Sequence, residues 1–106
     1  MKRGEVWWAN LGASAGRRPV VLLSRDEAYA VRALVTVAPV TTRVRGIRSE
    51  MALGPDEGLP RPCVANLDVI TTIAKRSLAE RLTDLPPLKL AELDDALRFA
   101  LGLPVS

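Results

Sequence analysis

Most of the chain consists of short apolar runs separated by segments rich in Gly, Pro and charged residues. Runs of this length, rich in β-branched and aromatic residues, predict β-strands. One of them, PVVLLS, is apolar up to its last residue, which indicates a strand buried on both faces. The pattern predicts five or six short strands, within Glu5–Leu11, Pro19–Ser24, Ala33–Thr41, Ser49–Leu53, Cys63–Ile73 (one strand or a pair) and Glu80–Thr83.

The segments between these runs predict the connections. Gly12–Gly16 (GASAG) is expected to be a flexible loop, Asp26–Val31 an irregular or single-turn connector, Gly54–Pro62 a loop and Lys75–Leu78 a turn. Arg43–Arg48 (RVRGIR) predicts a basic hairpin turn centred on Gly46. Pro39 lies inside a strand-like run, and because proline donates no hydrogen bond to a neighbouring strand, we expect it at a sheet edge or a bulge.

In the last segment of the chain, the apolar residues recur with a different spacing. Leu90, Leu93, Leu97, Ala100 and Leu101 recur at helical spacing and predict an amphipathic C-terminal helix. Pro86 and Pro87 suit its beginning, while Gly102 and Pro104 suit its end. Several short strands followed by one helix predict a mainly β fold, a small barrel of the SH3-like type with a helix appended, in a single domain over residues 1–106.

The charge is unevenly distributed. The chain has a net charge of +3, but residues 1–50 contain nine basic and four acidic residues, a net +5, and residues 51–106 contain six and eight, a net −2. The first half could therefore present a positive face to phosphates, or the charges could simply be solvated. A domain of 106 residues also buries a lower fraction of its surface than a large domain does, which makes a homodimer plausible.

Cysteine usage and the N-terminus indicate the compartment. The single cysteine, Cys63, cannot form an internal disulfide, and we expect it to fill core space rather than act as a nucleophile. Lys2 and Arg3 are followed by Gly4 and Glu5 rather than by an apolar stretch, so no signal peptide is predicted. No apolar run approaches the ~20 residues of a membrane-spanning helix. We expect a soluble, cytoplasmic protein without a membrane segment.

The chain contains no histidine. Ser-His-Asp and Cys-His sites, histidine metal sites and two-histidine ribonuclease sites are therefore excluded. Two acidic clusters, Asp56 with Glu57 and Asp94 with Asp95, fit solvated charge better than magnesium ligands. No phosphate-binding glycine motif is present. We predict neither a metal nor a cofactor.

Two local features could carry chemistry. Arg17 and Arg18 precede Pro19 where a glycine-containing loop enters a buried strand. This arrangement would suit a phosphate clamp, but the residues alone favour a pair of surface arginines. Thr41, Thr42 and Arg43 place hydroxyl groups beside a cation at a strand end, which is a weak signal by itself.

Four blocks of the chain resemble the MazF/PemK toxin family in order and approximate spacing. They are KRGEVWWANL (2–11), RRPVVLLSRD (17–26), VAPVTTRVRG (37–46) and VANLDVITTIAKRSL (64–78). The resemblance implies a CcdB/MazF-like barrel, a homodimer and metal-independent cleavage of single-stranded RNA. It implies a catalytic pair of Arg18, the arginine before the proline of the second strand, and Thr41, the threonine that closes the next long strand. The short first loop, and Val69 and Thr71 where relatives often have Gln and Arg, depart from the family pattern.

The resemblance also implies how such a protein works. The ribose 2′-hydroxyl attacks the adjacent phosphorus and leaves a 2′,3′-cyclic phosphate and a 5′-hydroxyl, so the substrate supplies the nucleophile. Arg18 would stabilise charge on the phosphoryl oxygens, and Thr41 would hold the phosphate in line. Relatives are paired with an antitoxin whose acidic, flexible C-terminal segment covers the RNA groove. Further RNA contacts are expected from Arg17, Thr42, Arg43 and Arg45, with Asn66 and Asp68 selecting bases or serving only the structure.

Two other function classes remain at this point. A CcdB-type gyrase poison shares the fold and catalyses nothing, but it depends on a tryptophan in its C-terminal tail, whereas this chain ends in GLPVS. A non-catalytic SH3-like adaptor would need several surface aromatic residues to form a peptide groove, and the chain has only four aromatic residues in all. Both tryptophans, Trp7 and Trp8, lie in the first predicted strand and must point to opposite faces, one to the core and the other to the surface or a dimer interface.

Overall fold

The fold is a curved antiparallel sheet packed against one long helix. The computed structural model describes residues 1–12, 14 and 16–104, so Ala13 and Ala15 of the predicted first loop and the end of the chain lie outside the described residues. The elements are β1 (Glu5–Asn10), β2 (Arg17–Leu22), α1 (Ala28–Val31), β3 (Leu34–Thr41), β4 (Glu50–Leu53), β5 (Cys63–Asn66), β6 (Thr71–Ala74), β7 (Leu78–Asp84) and α2 (Pro87–Leu101). The predicted barrel with a C-terminal helix is confirmed.

Strand β3 is the centre of the sheet. The strand order is β4-β5-β3-β2-β1-β7, and β6 pairs with the first half of β3. On the side away from β2, β3 pairs with β6 from Leu34 to Val37 and then with β5 at Val40 and Thr41. The second half of β3 thus lies between β2 and β5, and the end of β3 at Thr41 is paired with Val64 of β5.

The predicted two-sided burial of the second strand is confirmed. Val20 and Leu22 belong to one apolar cluster and Val21 and Leu23 to another on the opposite face. The larger cluster lies between the sheet and α2, and the smaller one includes Tyr29 of α1. Burial of each such side chain contributes roughly 1.5–3 kcal/mol, so this strand is a rigid support for the arginines at its beginning.

Helix α2 follows the predicted stripe except at its end. Leu93 and Ala96 are buried against the sheet, with Leu90 and Leu97 packed beside them. The stripe was wrong at Leu101, which is 51% exposed, and it omitted Ala96. Spacing shows which side of a helix is apolar but not whether another layer covers its last turn. In the described chain, no helix has the length and apolar character needed to cross a bilayer.

The predicted hairpin at Arg43–Arg48 is wrong. Strand β4 pairs with β5 and not with β3, because β5 occupies the position beside β3. Gly46 does adopt a positive φ of 72°, and the Glu50 carboxylate accepts hydrogen bonds from the backbone N–H groups of Arg45 (3.0 Å) and Gly46 (2.9 Å). The turn residues were recognised correctly, but the strand partner was not.

The remaining differences concern strand number and Pro39. The described residues form seven strands rather than five or six, since Cys63–Ile73 does contain two. Strand β7 is also longer than predicted. Pro39 does not lie at an edge, because β3 is central. It lies where β3 changes partner: Val37 is paired with β6 and Val40 with β5, and the register includes no partner for Pro39 on that side. On that side Pro39 therefore falls between the two ladders, while on the other side it is paired with Val20 of β2.

Candidate active site

Arg18 and Thr41 are brought together by the pairing of β2 with β3. The register pairs Leu22 with Val37, Val21 with Ala38 and Val20 with Pro39. This ladder ends at the pair Val20–Pro39, two residues after Arg18 on one strand and two residues before Thr41 on the other, so both residues lie at the same end of the β2–β3 pair. The two predicted catalytic residues are thus neighbours because of strand register, although they are far apart in the sequence.

Both residues line one pocket of about 230 Å³ at this end of the sheet. Arg17 and Thr42, which were predicted to contact RNA, line it as well. The pocket is also lined by Trp8 and Arg61, which were not predicted as site residues. Three arginines and two threonines therefore line a space that could accept an anionic group.

The Thr41 hydroxyl has a defined orientation. Its Oγ1 accepts a hydrogen bond from the backbone N–H of Arg43 at 3.1 Å. Because a hydroxyl can donate one hydrogen bond while it accepts another, Thr41 can still donate its proton to a phosphate oxygen. The half-buried Thr41 is in addition anchored by the pairing of its backbone with Val64 of β5.

Arg17 has partners within the protein. Its Nη2 lies 2.7 Å from Glu80 Oε1, and its guanidinium carbon lies 5.2 Å from the centre of the Trp8 ring. The side chains of Arg17 and Glu80 are 49% and 66% exposed, so their ion pair is solvated and weak. Arg17 is positioned by these contacts but can exchange them for others.

The other four predicted RNA contacts lie outside this pocket. Arg43 and Arg45 are exposed on the connection between β3 and β4. Asn66 Oδ1 accepts a hydrogen bond from the Asp68 backbone N–H at 3.0 Å, and Asp68 Oδ2 accepts one at 2.5 Å from the hydroxyl of Ser49, which is 1% exposed. Asn66 and Asp68 thus have structural contacts, and their role in base selection stays a prediction.

Arg61 reaches the site because of long-range pairing. Thr41 is paired with Val64, and the two strands are antiparallel, so the residues before Val64 run beside those after Thr41. Nothing in the local sequence of the Gly54–Pro62 loop distinguishes Arg61 from any surface arginine. Only the placement of β5 beside β3 brings it to the pocket.

Cys63 borders the pocket as a neutral core residue. It is 5% exposed and belongs to the larger apolar cluster. Burial, followed by the nearby charge of Glu57, raises the pKa of the Cys63 thiol. Since the thiolate is the nucleophilic form, this disfavours a catalytic role, and the prediction that Cys63 fills core space is confirmed. Among the described residues, no group of three or more Cys, Asp or Glu side chains is arranged to hold a metal ion.

Comparison with known proteins establishes the family. Residues 2–101 match the model of the PemK-like, MazF-like toxins of type II toxin–antitoxin systems. The chain belongs to the PemK/MazF family. It is 41% identical to the probable endoribonuclease MazF5 of Mycobacterium tuberculosis, over 92% of this chain and 90% of that protein. It is 40% identical to the probable endoribonuclease MazF2 of the same species, over 96% and 99% of the two chains.

Solved structures agree with this membership in PemK/MazF. The Mycobacterium tuberculosis toxin MazF-mt6 superposes with a TM-score of 0.87 at 31% identity, over 95% of this chain and 99% of that one. A mycobacterial endoribonuclease in complex with its cognate antitoxin also gives 0.87, at 32% identity over 100% and 99% of the chains. The MazF of a MazE–MazF complex from Deinococcus radiodurans gives 0.81, at 31% identity over 98% and 97%. The CcdB/MazF-like fold is thereby confirmed.

Proposed function

We propose that this PemK/MazF-family protein is a toxin that cleaves single-stranded RNA without a metal ion. The observation that carries the proposal is that Arg18 and Thr41 line one pocket at the same end of the β2–β3 pair. The endoribonuclease names of its relatives at 40–41% identity support the nuclease over a gyrase poison on the same fold.

In the proposed reaction the RNA provides the nucleophile. The 2′-oxygen forms a bond to the adjacent phosphorus, the bond from phosphorus to the 5′-oxygen breaks, and the products are a 2′,3′-cyclic phosphate and a 5′-hydroxyl. The 2′-hydroxyl proton passes to solvent, and the departing 5′-oxygen takes a proton from solvent or from a neighbouring donor. A chain without histidine can perform this reaction if it holds the phosphate in line and stabilises its negative charge.

The two proposed catalytic residues have different tasks. Arg18 stabilises the charge that develops on the non-bridging oxygens, which its permanently charged guanidinium can do through two parallel hydrogen bonds. Thr41, oriented by the Arg43 backbone N–H, donates its hydroxyl proton to the same phosphate. Each preorganised donor of this kind is worth on the order of 10²- to 10³-fold in rate.

The proposed partners follow from the same surface. The arginines around the pocket would attract the acidic, flexible segment of a cognate antitoxin, which would become ordered on binding and block the RNA. The solved relatives bound to antitoxins support this partner. We also propose a homodimer in the cytoplasm, in keeping with the small size of the domain and its single free cysteine.

The decisive experiment is cleavage of a long single-stranded RNA by purified protein in the presence of EDTA. We expect discrete cuts, and mapping of the new ends should find 5′-hydroxyl and 2′,3′-cyclic phosphate groups. Arg18→Ala, purified in parallel and checked for folding by circular dichroism, should abolish the cuts. Absence of cleavage by the wild-type protein, or wild-type cleavage by folded Arg18→Ala, would contradict the proposal.

A further inference from the structure

Trp8 is the aromatic residue that faces the pocket. Its neighbour Trp7 points to the other side of β1, packs against the smaller apolar cluster and donates its Nε1–H to Glu5 Oε1 at 2.9 Å. Trp8 is paired with Pro19 in the β1–β2 register and lines the pocket together with Arg18 and Thr41. It is partly exposed. One tryptophan is therefore structural, and the other offers part of its ring to the site.

The contact above the Trp8 ring is a replaceable one. The guanidinium carbon of Arg17 lies 5.2 Å from the ring centre, and the same guanidinium is bound to the solvated Glu80 carboxylate. A guanidinium and a nucleobase are both flat groups that stack on indole. Because ion pairs and cation–π contacts at exposed positions are weak, a base could displace Arg17 from the ring and leave its charge for a phosphate.

We propose that Trp8 is the stacking surface for one unpaired base next to the phosphate held by Arg18 and Thr41. This proposal rests on the proposed function and names a base subsite within it. Arg17 covers the ring in the free protein and moves to the RNA backbone when the base stacks. Enzymes and binding proteins that act on single-stranded RNA commonly hold splayed bases in this way, between aromatic rings and arginines.

Size and charge favour a base over other occupants. The pocket volume of about 230 Å³ is below the roughly 300–1,000 Å³ of pockets that hold drug-sized ligands, so it suits one ring system. Arg17, Arg18 and Arg61 surround it and would pair with the phosphates on either side of that base. A proline-rich peptide would bring no negative charge for these arginines.

The direct test uses tryptophan fluorescence. Since the chain has two tryptophans, Trp7→Phe leaves Trp8 as the sole reporter, and Trp8→Phe leaves Trp7 as the matched control. The probe is a mixed-sequence single-stranded 2′-O-methyl RNA, which has no 2′-hydroxyl nucleophile and cannot be cut by the proposed reaction. We expect saturable quenching in Trp7→Phe and little change in Trp8→Phe. An abasic phosphodiester of the same length should quench far less, because it can displace Arg17 but cannot stack.

The second measurement is RNA cleavage by variants of Trp8 that retain or lose the aromatic ring. Stacking of one base corresponds to roughly 5- to 150-fold in affinity, so Trp8→Leu should lower kcat/KM by a factor in that range, while Trp8→Phe should retain most of it. Urea unfolding of both variants checks that they are folded.

The outcomes separate the two proposals. RNA cleavage with equal rates for wild type and folded Trp8→Leu, or equal quenching by the abasic oligomer, would overturn the Trp8 subsite and leave the nuclease intact. Quenching by the 2′-O-methyl RNA in a protein that cleaves no RNA would overturn the nuclease and retain the subsite. Quenching of Trp8 by a proline-rich peptide but not by RNA would overturn both.

Discussion

The Thr41 hydroxyl oxygen accepts the backbone N–H of Arg43, two residues further along the chain, at 3.1 Å. This contact fixes the hydroxyl at the end of β3 and leaves its proton to be donated. Thr41 therefore combines an orienting contact with the role of a hydrogen-bond donor to the phosphate.

Substitutions of Thr41 should distinguish the contribution of its hydroxyl to cleavage from that of its side-chain shape. Thr41→Val keeps the volume and β-branching but removes the donor, and we expect RNA cleavage to fall on the order of 10²- to 10³-fold. Thr41→Ser keeps the hydroxyl and should remain within about tenfold of wild type. Single-turnover cleavage of an RNA that contains the mapped cut site measures both. Equal activity of the Val and Ser variants would remove Thr41 from the catalytic pair.

Arg61 should contribute a phosphate contact that depends on ionic strength. Each phosphate neutralised on a single strand contributes about −0.7 to the slope of log K against log salt concentration, so Arg61→Ala should weaken RNA binding and reduce that slope by about 0.7. Arg76, an exposed arginine in the turn after β6, is the matched control and should show no change. Fluorescence anisotropy at several salt concentrations measures the slopes. An unchanged slope for Arg61→Ala would exclude the contact.

The sequence predicted the positions of most elements because their signals are local. Strand β2 is marked by a continuous apolar run, α2 by its spacing and by the flanking prolines and Gly102, and the Gly46 turn by its glycine. Strand partners could not be predicted, because β5 enters between β3 and β4 from a distant part of the chain. The predicted hairpin failed for this reason.

Prediction of the site from the sequence was limited in the same way. Arg18 and Thr41 were identified by family resemblance, and the β2–β3 register gives a physical reason for their proximity. Side chains alternate along a strand, which predicted that Trp7 and Trp8 face opposite sides of β1 but not which of them lines the pocket. The Trp7–Glu5 hydrogen bond and the packing of Trp7 against the smaller apolar cluster identify Trp7 as the structural residue. The local sequence around Arg61 did not predict a site residue, because only the pairing of β3 with β5 brings Arg61 to the pocket.

Asp68 should contribute to stability through the buried Ser49 hydroxyl. Asp68→Ala removes the acceptor of the 2.5 Å hydrogen bond, and we expect the free energy of unfolding to fall by about 1–3 kcal/mol. Asp95→Ala removes a carboxylate that is 81% exposed and only ion-paired on the surface, so it should change stability by no more than about 0.5 kcal/mol. Urea unfolding compares the two.

Asp68→Ala and Asn66→Ala together test base selection. If the Asp68 side chain contacts a base and selects it, Asp68→Ala should cleave RNA at a different sequence motif from that of wild type. We expect the same of Asn66→Ala. An unchanged motif in both variants would restrict these two residues to the structural contacts around Ser49.

Tyr29 should make stability depend on pH above neutrality. Burial, followed by the negative charge of Asp26, raises the pKa of Tyr29 to about 12 from its ordinary 10.0, and the neutral phenol donates a hydrogen bond to the Ser24 carbonyl at 3.0 Å. The folded protein thus holds this proton more tightly than the unfolded chain. The resulting stability is fully present below pH 10 and is lost as the pH rises from about 10 to about 12, on the order of 2 kcal/mol in all.

Two measurements check this pH dependence. Tyr29 is the only tyrosine, so its ionisation can be followed directly by ultraviolet absorbance in the folded protein. Urea unfolding between pH 9 and 11.5 should show a steeper loss of stability in wild type than in Tyr29→Phe, and because the two proteins differ only in the phenol hydroxyl, the difference between their profiles isolates it. A Tyr29 titration midpoint near 10, or parallel pH profiles for the two proteins, would contradict the prediction and indicate that the hydroxyl is more accessible to water than its contact with Ser24 suggests.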